Sequence, residues 1–422
     1  MTLPGHPHVA YRGADLYIED VRLADLAAAH GTPLYVYSTA AMLDALAAYQ
    51  RGFAGRKVQI CYAMKANASL AVLQLFARAG CGFDIVSGGE LARVLAAGGD
   101  AAKVIFSGVG KTRAEMRQAL AAGIGCFNVE SEAELEVLSE VAQQAGRTAN
   151  VSIRVNPNVD AKTHPYISTG LKGNKFGVAH ERTLATYQRA AALPGLRVAG
   201  IDCHIGSQIT EVGPYLDAVD RVLDLVQQIE AAGIAIHHID FGGGLGIDYN
   251  GDTPPAADAL WAQLFERLDA RGFGDRQFMI EPGRSLVGNA GVCLMEVLYL
   301  KPGEQKNFCV VDAAMNDLPR PAMYQAFHGI VPLTQSSTPA ATYDVVGPIC
   351  ESGDWLGRDR ALAVHSGDWL AMLSAGAYCA SMASNYNTRG RAAEVLVSGP
   401  AAHVIRERES VEDTFRAEKL LP

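Results

Sequence analysis

Nowhere in this 422-residue chain is there an apolar run of about 18 residues, the length a membrane-spanning helix needs, and nowhere a block of lysine and arginine. With a formal charge of −9, that absence argues against nucleic acid or an anionic membrane as partner and leaves a small molecule. The opening residues, Met1-Thr2-Leu3-Pro4-Gly5-His6, lack the basic and apolar regions of a signal peptide, so a cytoplasmic location is expected. The eight cysteines, at 61, 81, 126, 203, 293, 309, 350 and 379, form no CxxC pair and no zinc-ligand cluster. They read as scattered thiols of a reducing compartment, and no metal is expected. Two glycosylation-type tripeptides, Asn67-Ala68-Ser69 and Asn150-Val151-Ser152, are discounted because they require a secretory route.

What is present is apolar surface. At 49% hydrophobic and 19% charged residues the chain does not read as disordered, and its length allows two domains or one barrel plus an extra unit. From residue 56 onward, short β-branched or aromatic runs alternate with Ala/Leu/Glu-rich stretches of helical period, the pattern of repeated βα units. Eight strands are expected: Val58 to Ala63, Gly82 to Ser87, Val104 to Ser107, Gly125 to Val129, Val151 to Val155, Val198 to His204, Ile236 to Phe241 and Gln277 to Glu281. Between them lie helical stretches at 70–79, 91–97, 113–122, 132–145, 181–192, 215–232 and 257–271, several ending in Gly. A mean strand spacing of roughly 31 residues fits a parallel (β/α)8 TIM-type barrel, with an open doubly wound sheet as the competing fold.

Beyond Glu281 the texture becomes that of an antiparallel β-domain, with strands expected at 292–300, 308–311, 342–346, 362–373, 393–398 and 403–406. The early strands 16–21 and 34–37 lie outside the barrel and are expected to join it. The division is therefore 1–37 with the β-domain, 38–285 the barrel, and 286–422 the remainder of the β-domain.

In such a barrel the chemistry sits at the C-terminal ends of the strands. Lys65 ends the first, where desolvation would favour the neutral, imine-forming amine; a salt-bridged rim lysine is the plainer alternative. Gly242, Gly243 and Gly244 follow the seventh strand and are expected to expose consecutive N–H donors suited to a phosphate, although a tight turn would need the same glycines. Ile247 excludes a dinucleotide fingerprint there. A lysine on strand one and a phosphate cradle after strands seven and eight together point to pyridoxal phosphate. Glu281 would then favour a protonated pyridine nitrogen, His204 would lie against the ring and Ser207 would donate to the phosphate. Taken singly, each has a structural explanation.

These residues carry a resemblance to the diaminopimelate decarboxylases, in the barrel-type, alanine-racemase-like class of pyridoxal-phosphate enzymes. It runs from Tyr62–Asn67 to Tyr378 and includes His164–Gly170, Asn174-Lys175-Phe176-Gly177, His204–Gln208, the triple glycine, Glu281–Arg284 and Cys350–Asp354. The resemblance implies that Lys65 carries the cofactor in imine linkage, that His204 stacks on its ring, and that Glu281 holds the pyridinium. Ser207, Gly243, Gly244, Pro282, Gly283 and Arg284 would surround the phosphate with Tyr378, and Asp84 and Arg154 would lie near the lysine and ring. Arg284, Arg320, Tyr324 and Tyr378 would meet the substrate, Glu351 its distal ammonium, and Cys350 would donate the proton. Family members are head-to-tail homodimers in which the partner supplies the Cys350–Glu351 loop.

The implied reaction is decarboxylation of meso-2,6-diaminopimelate at its D-centre to L-lysine and CO2, the last step of lysine biosynthesis. Two arginines and a glutamate suit a distal centre bearing both carboxylate and ammonium. The alternatives are a related decarboxylase for carboxynorspermidine, ornithine or a D-amino acid, a non-catalytic pyridoxal-phosphate carrier, and a racemase. The β-domain and the cysteine-bearing loop count against the last two.

Overall fold

The computed structural model describes residues 2–3, 5–160 and 174–422; the His164–Gly170 motif lies outside them. The chain divides into two compact units, one of residues 46–246 and 254–285, the other of residues 1–45, 247–253 and 286–422.

The first unit is the barrel. Strands Val58–Ala63, Gly82–Ile85, Val104–Phe106, Cys126–Val129, Ala149–Asn156, Leu196–Asp202, His238–Asp240 and Gln277–Ile280 pair in parallel in chain order. The eighth returns to the first, with Phe278 opposite Val58, so no edge is left open. Three of the intervening helices follow from Ser or Thr caps, at Ser87, Thr112 and Ser131. Thr112 and Glu115 form a reciprocal capping box at the start of Arg113–Ala122, and Gly123 ends it in the left-handed conformation. Helix Gly88–Ala96 begins three residues before the expected start at Leu91, because the Ser87 hydroxyl takes the Glu90 N–H and carries Gly88 and Gly89 into the first turn.

Because strand side chains alternate, closing the barrel turns one residue in two inward. Its lower interior is apolar, with Cys61, Ile105 and Cys126 clustered against Met279. Two residues beyond Ile105, Cys126 and Met279 the inward positions are polar, Ser107, Asn128 and Glu281, all buried, and Asp84, Asp202 and Asp240 are buried at the ends of their own strands. The strands thus end in a buried polar floor.

The second unit is a β-domain. A nine-stranded sheet runs Trp355–Leu362, Ala341–Val346, Phe308–Val311, Gly291–Lys301, Leu34–Ser38, Ala393–Ser398, Ala401–Arg406, with Trp369–Met372 and Ile330–Pro332 branching from Gly291–Lys301. Leu34–Ser38 lies inside this sheet, antiparallel to Gly291–Lys301 and parallel to Ala393–Ser398, and Val36, Val292, Leu294, Val395 and Val397 are fully buried around it. A four-stranded sheet is built from Thr2–Leu3, His6–Arg12, Asp15–Ile18 and Val21–Arg22. Most pairings are antiparallel; Phe308–Val311 with Ala341–Val346 is a second parallel one.

Three expectations are corrected. The run 362–373 is not one strand: Trp355–Leu362 and Trp369–Met372 are separated by a turn in which Gly367 has φ +88° and Asp368 accepts from the His365 N–H. The run 16–21 breaks at Glu19, φ +49°. Leu23–His30 and Thr39–Phe53, not anticipated, are helices.

Candidate active site

Lys65 stands in a single 3-10 turn just past the first strand, and its Nζ lies 2.5 Å from Oδ2 of Asp84, the residue ending the inward face of the second strand. The expected burial of the amine is not observed. The Lys65 side chain retains 38% exposure, and its ammonium is paired with a fully buried carboxylate whose other oxygen, Oδ1, has no hydrogen-bond partner among the described residues.

Opposite lies a buried acid cluster. Oxygens of Asp202, Asp240 and Glu281 come within 4.8 Å of one another. The Glu281 Oε1 accepts from Nδ2 of Asn128, 3.1 Å away on the fourth strand, and Asp240 Oδ1 accepts from the Gly242 N–H. Burial is the main force on all three, and it favours the neutral acid. It holds the Asp202 carboxyl up at about 7 even though Arg154 favours its charged form. Asp240 is pushed well above the usual carboxylate range by burial and by Asp202, and Glu281 by burial and by Asp84, Asp240 and Asp202. These are the described acids whose oxygens could reach one metal ion, but protons neutralise the cluster equally well, and Asn128 already takes a Glu281 oxygen.

Arg154 is buried beside the cluster and donates to Glu130 at 3.1 Å; Glu130 also takes the N–H groups of Gly108 and Gly177, so the arginine is fixed from a fully engaged carboxylate. His204 accepts the Gly243 N–H at Nδ1, 3.2 Å, which leaves its hydrogen on Nε2. Burial, Arg154 and Lys65 all lower its pKa well below the ordinary imidazole value, so the ring is neutral.

The glycine run is required by close approach. A Cβ on Gly243 would sit 2.2 Å from the Glu281 carbonyl, and one on Gly244, φ +101°, 2.4 Å from that of Gly206. The run does not, however, present three consecutive free donors. The Gly242 N–H serves Asp240 and the Gly243 N–H orients His204, because a turn this tight must satisfy its own polar groups first. Nearby, Arg284 donates to the Ser207 hydroxyl oxygen from Nη2 at 3.0 Å and Nε at 3.3 Å, leaving the hydroxyl hydrogen to point elsewhere. Pro282 and Gly283 lie against the first strand: Pro282 accepts the Ala63 N–H, and a Gly283 Cβ would come 3.0 Å from the Ala63 carbonyl.

The remaining expected residues belong to the β-domain. Arg320 and Tyr324 open and close one short helix. Arg320 is buried and, among the described residues, forms no ion pair and is held through Nε by His328 and across its face by Tyr249. Cys350 and Glu351 occupy an exposed loop braced by Asp354, which accepts from the Met315 and Ile349 N–H groups at 2.7 and 2.8 Å. The Cys350 N–H donates to Asn387, and Tyr386 Oη donates to Glu351 at 2.9 Å. Tyr378, with φ +58°, is half-buried. Cys350 is exposed whereas the other seven thiols are buried.

Sequence reasoning missed Asn128, Glu130, the part of Asp202 and Asp240 in the buried acid cluster, and the His328–Tyr249 support of Arg320. For the first four a signal existed: each is a lone polar residue at an inward-facing position near the end of a strand.

A family profile described as "Pyridoxal-dependent decarboxylase, pyridoxal binding domain" matches residues 40–288. The diaminopimelate decarboxylase of Pseudomonas aeruginosa is 55% identical over 413 residues, covering 98% of this chain and 99% of that protein. Among solved structures, diaminopimelate decarboxylase from M. jannaschii in complex with L-lysine aligns with a TM-score of 0.95 at 38% identity, covering 100% of this chain and 99% of that one. The enzyme from Helicobacter pylori, also complexed with L-lysine, aligns at 0.89 and 41% identity, covering 94% and 98%.

Proposed function

The chain belongs to the pyridoxal-dependent decarboxylases, and within them to the diaminopimelate decarboxylase family, and from that membership we propose that its barrel residues hold pyridoxal phosphate while β-domain residues receive the substrate. It is a pyridoxal-phosphate-dependent enzyme that decarboxylates meso-2,6-diaminopimelate to lysine. Attack at the D-configured centre is part of the proposal.

The cofactor reading is carried by Glu281. A buried carboxyl crowded by Asp84, Asp240 and Asp202 is ionised only if a cation is brought against it, and a pyridinium N–H is such a cation. The donor set fits the rest of the group: an amine at Lys65, a neutral imidazole at His204, and a glycine turn with Ser207 and Arg284 beside it for the phosphate. When bound, the cofactor supplies the sink for the electron pair left as the carbon–carboxylate bond breaks. Lys65 would anchor it through its amine, and Asp84, paired with that amine in this structure, would hold it whenever it is not bound to the cofactor. His204 would lie against its ring, and Asn128 holds one oxygen of Glu281, the residue that would meet the pyridinium.

Arg320 supports the substrate reading. A buried arginine with no acid partner among the described residues suits a carboxylate, and Glu351 suits the distal ammonium. Tyr324, Arg284 and Tyr378 complete the substrate-facing set. Cys350 donates the proton to the carbon that has lost CO2. We assign the working unit as a homodimer in which the Cys350–Glu351 loop serves the partner's site, and its compartment as the cytoplasm; no helix of the described residues is long and apolar enough to cross a membrane.

Incubating the purified protein with pyridoxal phosphate and meso-2,6-diaminopimelate should yield lysine and CO2 in equal amounts, with no product from ornithine. Turnover of ornithine in preference to diaminopimelate would overturn the substrate assignment.

A further inference from the structure

We propose that His328 is a positioning residue for Arg320, presenting the end-on fork of that guanidinium to the substrate carboxylate; the inference rests on the reading of Arg320 as a substrate-binding group.

The geometry fixes the imidazole completely. His328 is fully buried in the segment between helix Arg320–Tyr324 and strand Ile330–Pro332. Its Nδ1 lies 2.9 Å from the Leu373 carbonyl oxygen, which can only accept, so Nδ1 carries a hydrogen. Its Nε2 lies 3.3 Å from Arg320 Nε, which can only donate, so Nε2 offers a lone pair. The two bonds permit one state, the neutral Nδ1–H tautomer. The anchor is itself rigid: the Leu373 N–H donates to the Gly329 carbonyl at 2.8 Å, and Ile330 pairs with Met372 in the sheet.

Tyr249 completes the support. Its ring meets the His328 ring edge-to-face at 5.2 Å, and the Arg320 Cζ lies 5.2 Å from its centroid. Arg320 is therefore held at Nε and over one face, and the described residues give Nη1 and Nη2 no hydrogen-bond partner. A guanidinium binds a carboxylate bidentately either side-on, through Nε and one Nη, or end-on, through both Nη. His328 occupies Nε, so only the end-on edge remains. It also freezes a long, flexible side chain before the ligand arrives, which makes carboxylate binding stronger than a mobile arginine would allow.

Two substitutions separate this role from a purely structural one. His328→Asn keeps a donor for Leu373 and loses the acceptor for Arg320; His328→Gln extends an acceptor toward Arg320 and loses the donor to Leu373. In the pyridoxal-phosphate-loaded enzyme, His328→Asn should raise KM for meso-2,6-diaminopimelate about tenfold with kcat changed less than about threefold, while His328→Gln stays within about threefold of the parent. The absorbance of the bound cofactor should be unchanged in both. In an Arg320→Lys background, His328→Asn should add less than about a twofold change, because the contact it removes is already gone. A KM unchanged in His328→Asn, a larger defect in His328→Gln than in His328→Asn, or an undiminished His328→Asn effect on top of Arg320→Lys would overturn the proposal. If Arg320→Lys alone leaves KM at the parent value, the assignment of Arg320 falls, and this inference with it. Should His328→Asn fail to fold, His328→Gln still decides: a tenfold rise in its KM at parental kcat contradicts the role.

Discussion

The polar floor of the barrel and the Arg320 region of the β-domain are both buried and both electrically unbalanced, but in opposite senses. Around Glu281 the acids Asp84, Glu130, Asp202 and Asp240 outnumber the cations Lys65 and Arg154, and burial answers the excess by driving Asp202, Asp240 and Glu281 toward their protonated forms. Around Arg320 the imbalance is reversed: the described residues give this buried arginine a neutral imidazole and an aromatic face and no carboxylate. A folded protein seldom leaves buried charge uncompensated unless a ligand is meant to complete it. The barrel floor is short of a cation, as a pyridinium site should be, and the β-domain is short of an anion, as a carboxylate site should be. The Cys350–Glu351 loop differs from both in being exposed.

The strongest test of this contrast is Lys65→Ala. It should abolish the visible absorbance of lysine-bound cofactor and lower turnover by at least about 10³-fold, whereas an unaltered spectrum would place the anchor elsewhere. Next comes Cys350→Ala, expected to slow kcat by roughly 10²- to 10⁴-fold while the cofactor spectrum persists; a rate near that of the parent would remove Cys350 as the acid. Glu351→Gln should act on KM, raising it by about tenfold, and Tyr386→Phe, which deletes the hydroxyl donating to Glu351, should do the same more weakly. An effect on kcat alone in either variant would assign that loop to chemistry rather than recognition.

The smallest effect concerns pH. In the folded barrel Asp202 keeps its proton up to about 7, against 3.8 when unfolded. The folded chain therefore binds the extra proton between these values, and its stability falls as pH rises from about 4 to 7. Asp202→Asn cannot lose that proton, so the cofactor-free variant should show a Tm decline across this window shallower than the parent's by roughly a few degrees. Parallel Tm curves for the two would mean that Asp202 is ionised throughout.

Much of the barrel was legible because its strands are short β-branched or aromatic runs and three of its helices carry Ser or Thr caps, at Ser87, Thr112 and Ser131, both of which are local signals. The alanine-rich helices Leu23–His30 and Thr39–Phe53 were not, since alanine is apolar on every face and blurs the helical stripe. The places of Lys65, His204 and Glu281 at the barrel's strand ends could be read from the sequence. Their supports could not, because Asn128 reaches Glu281 across 153 residues of sequence only after strands four and eight face one another in the closed barrel. His328 sits in an aperiodic stretch, and its role depends on a carbonyl at Leu373 and a ring at Tyr249 that no spacing rule connects.

The central claim is that cofactor binding rests on the barrel residues and does not depend on the Cys350–Glu351 loop. Its most direct test is an absorbance titration of pyridoxal phosphate into a cofactor-stripped variant carrying both Cys350→Ala and Glu351→Ala. The predicted result is a Kd within about threefold of the parent in a chain that no longer turns over. A Kd weakened by tenfold or more would contradict it, because cofactor binding would then depend on the β-domain loop.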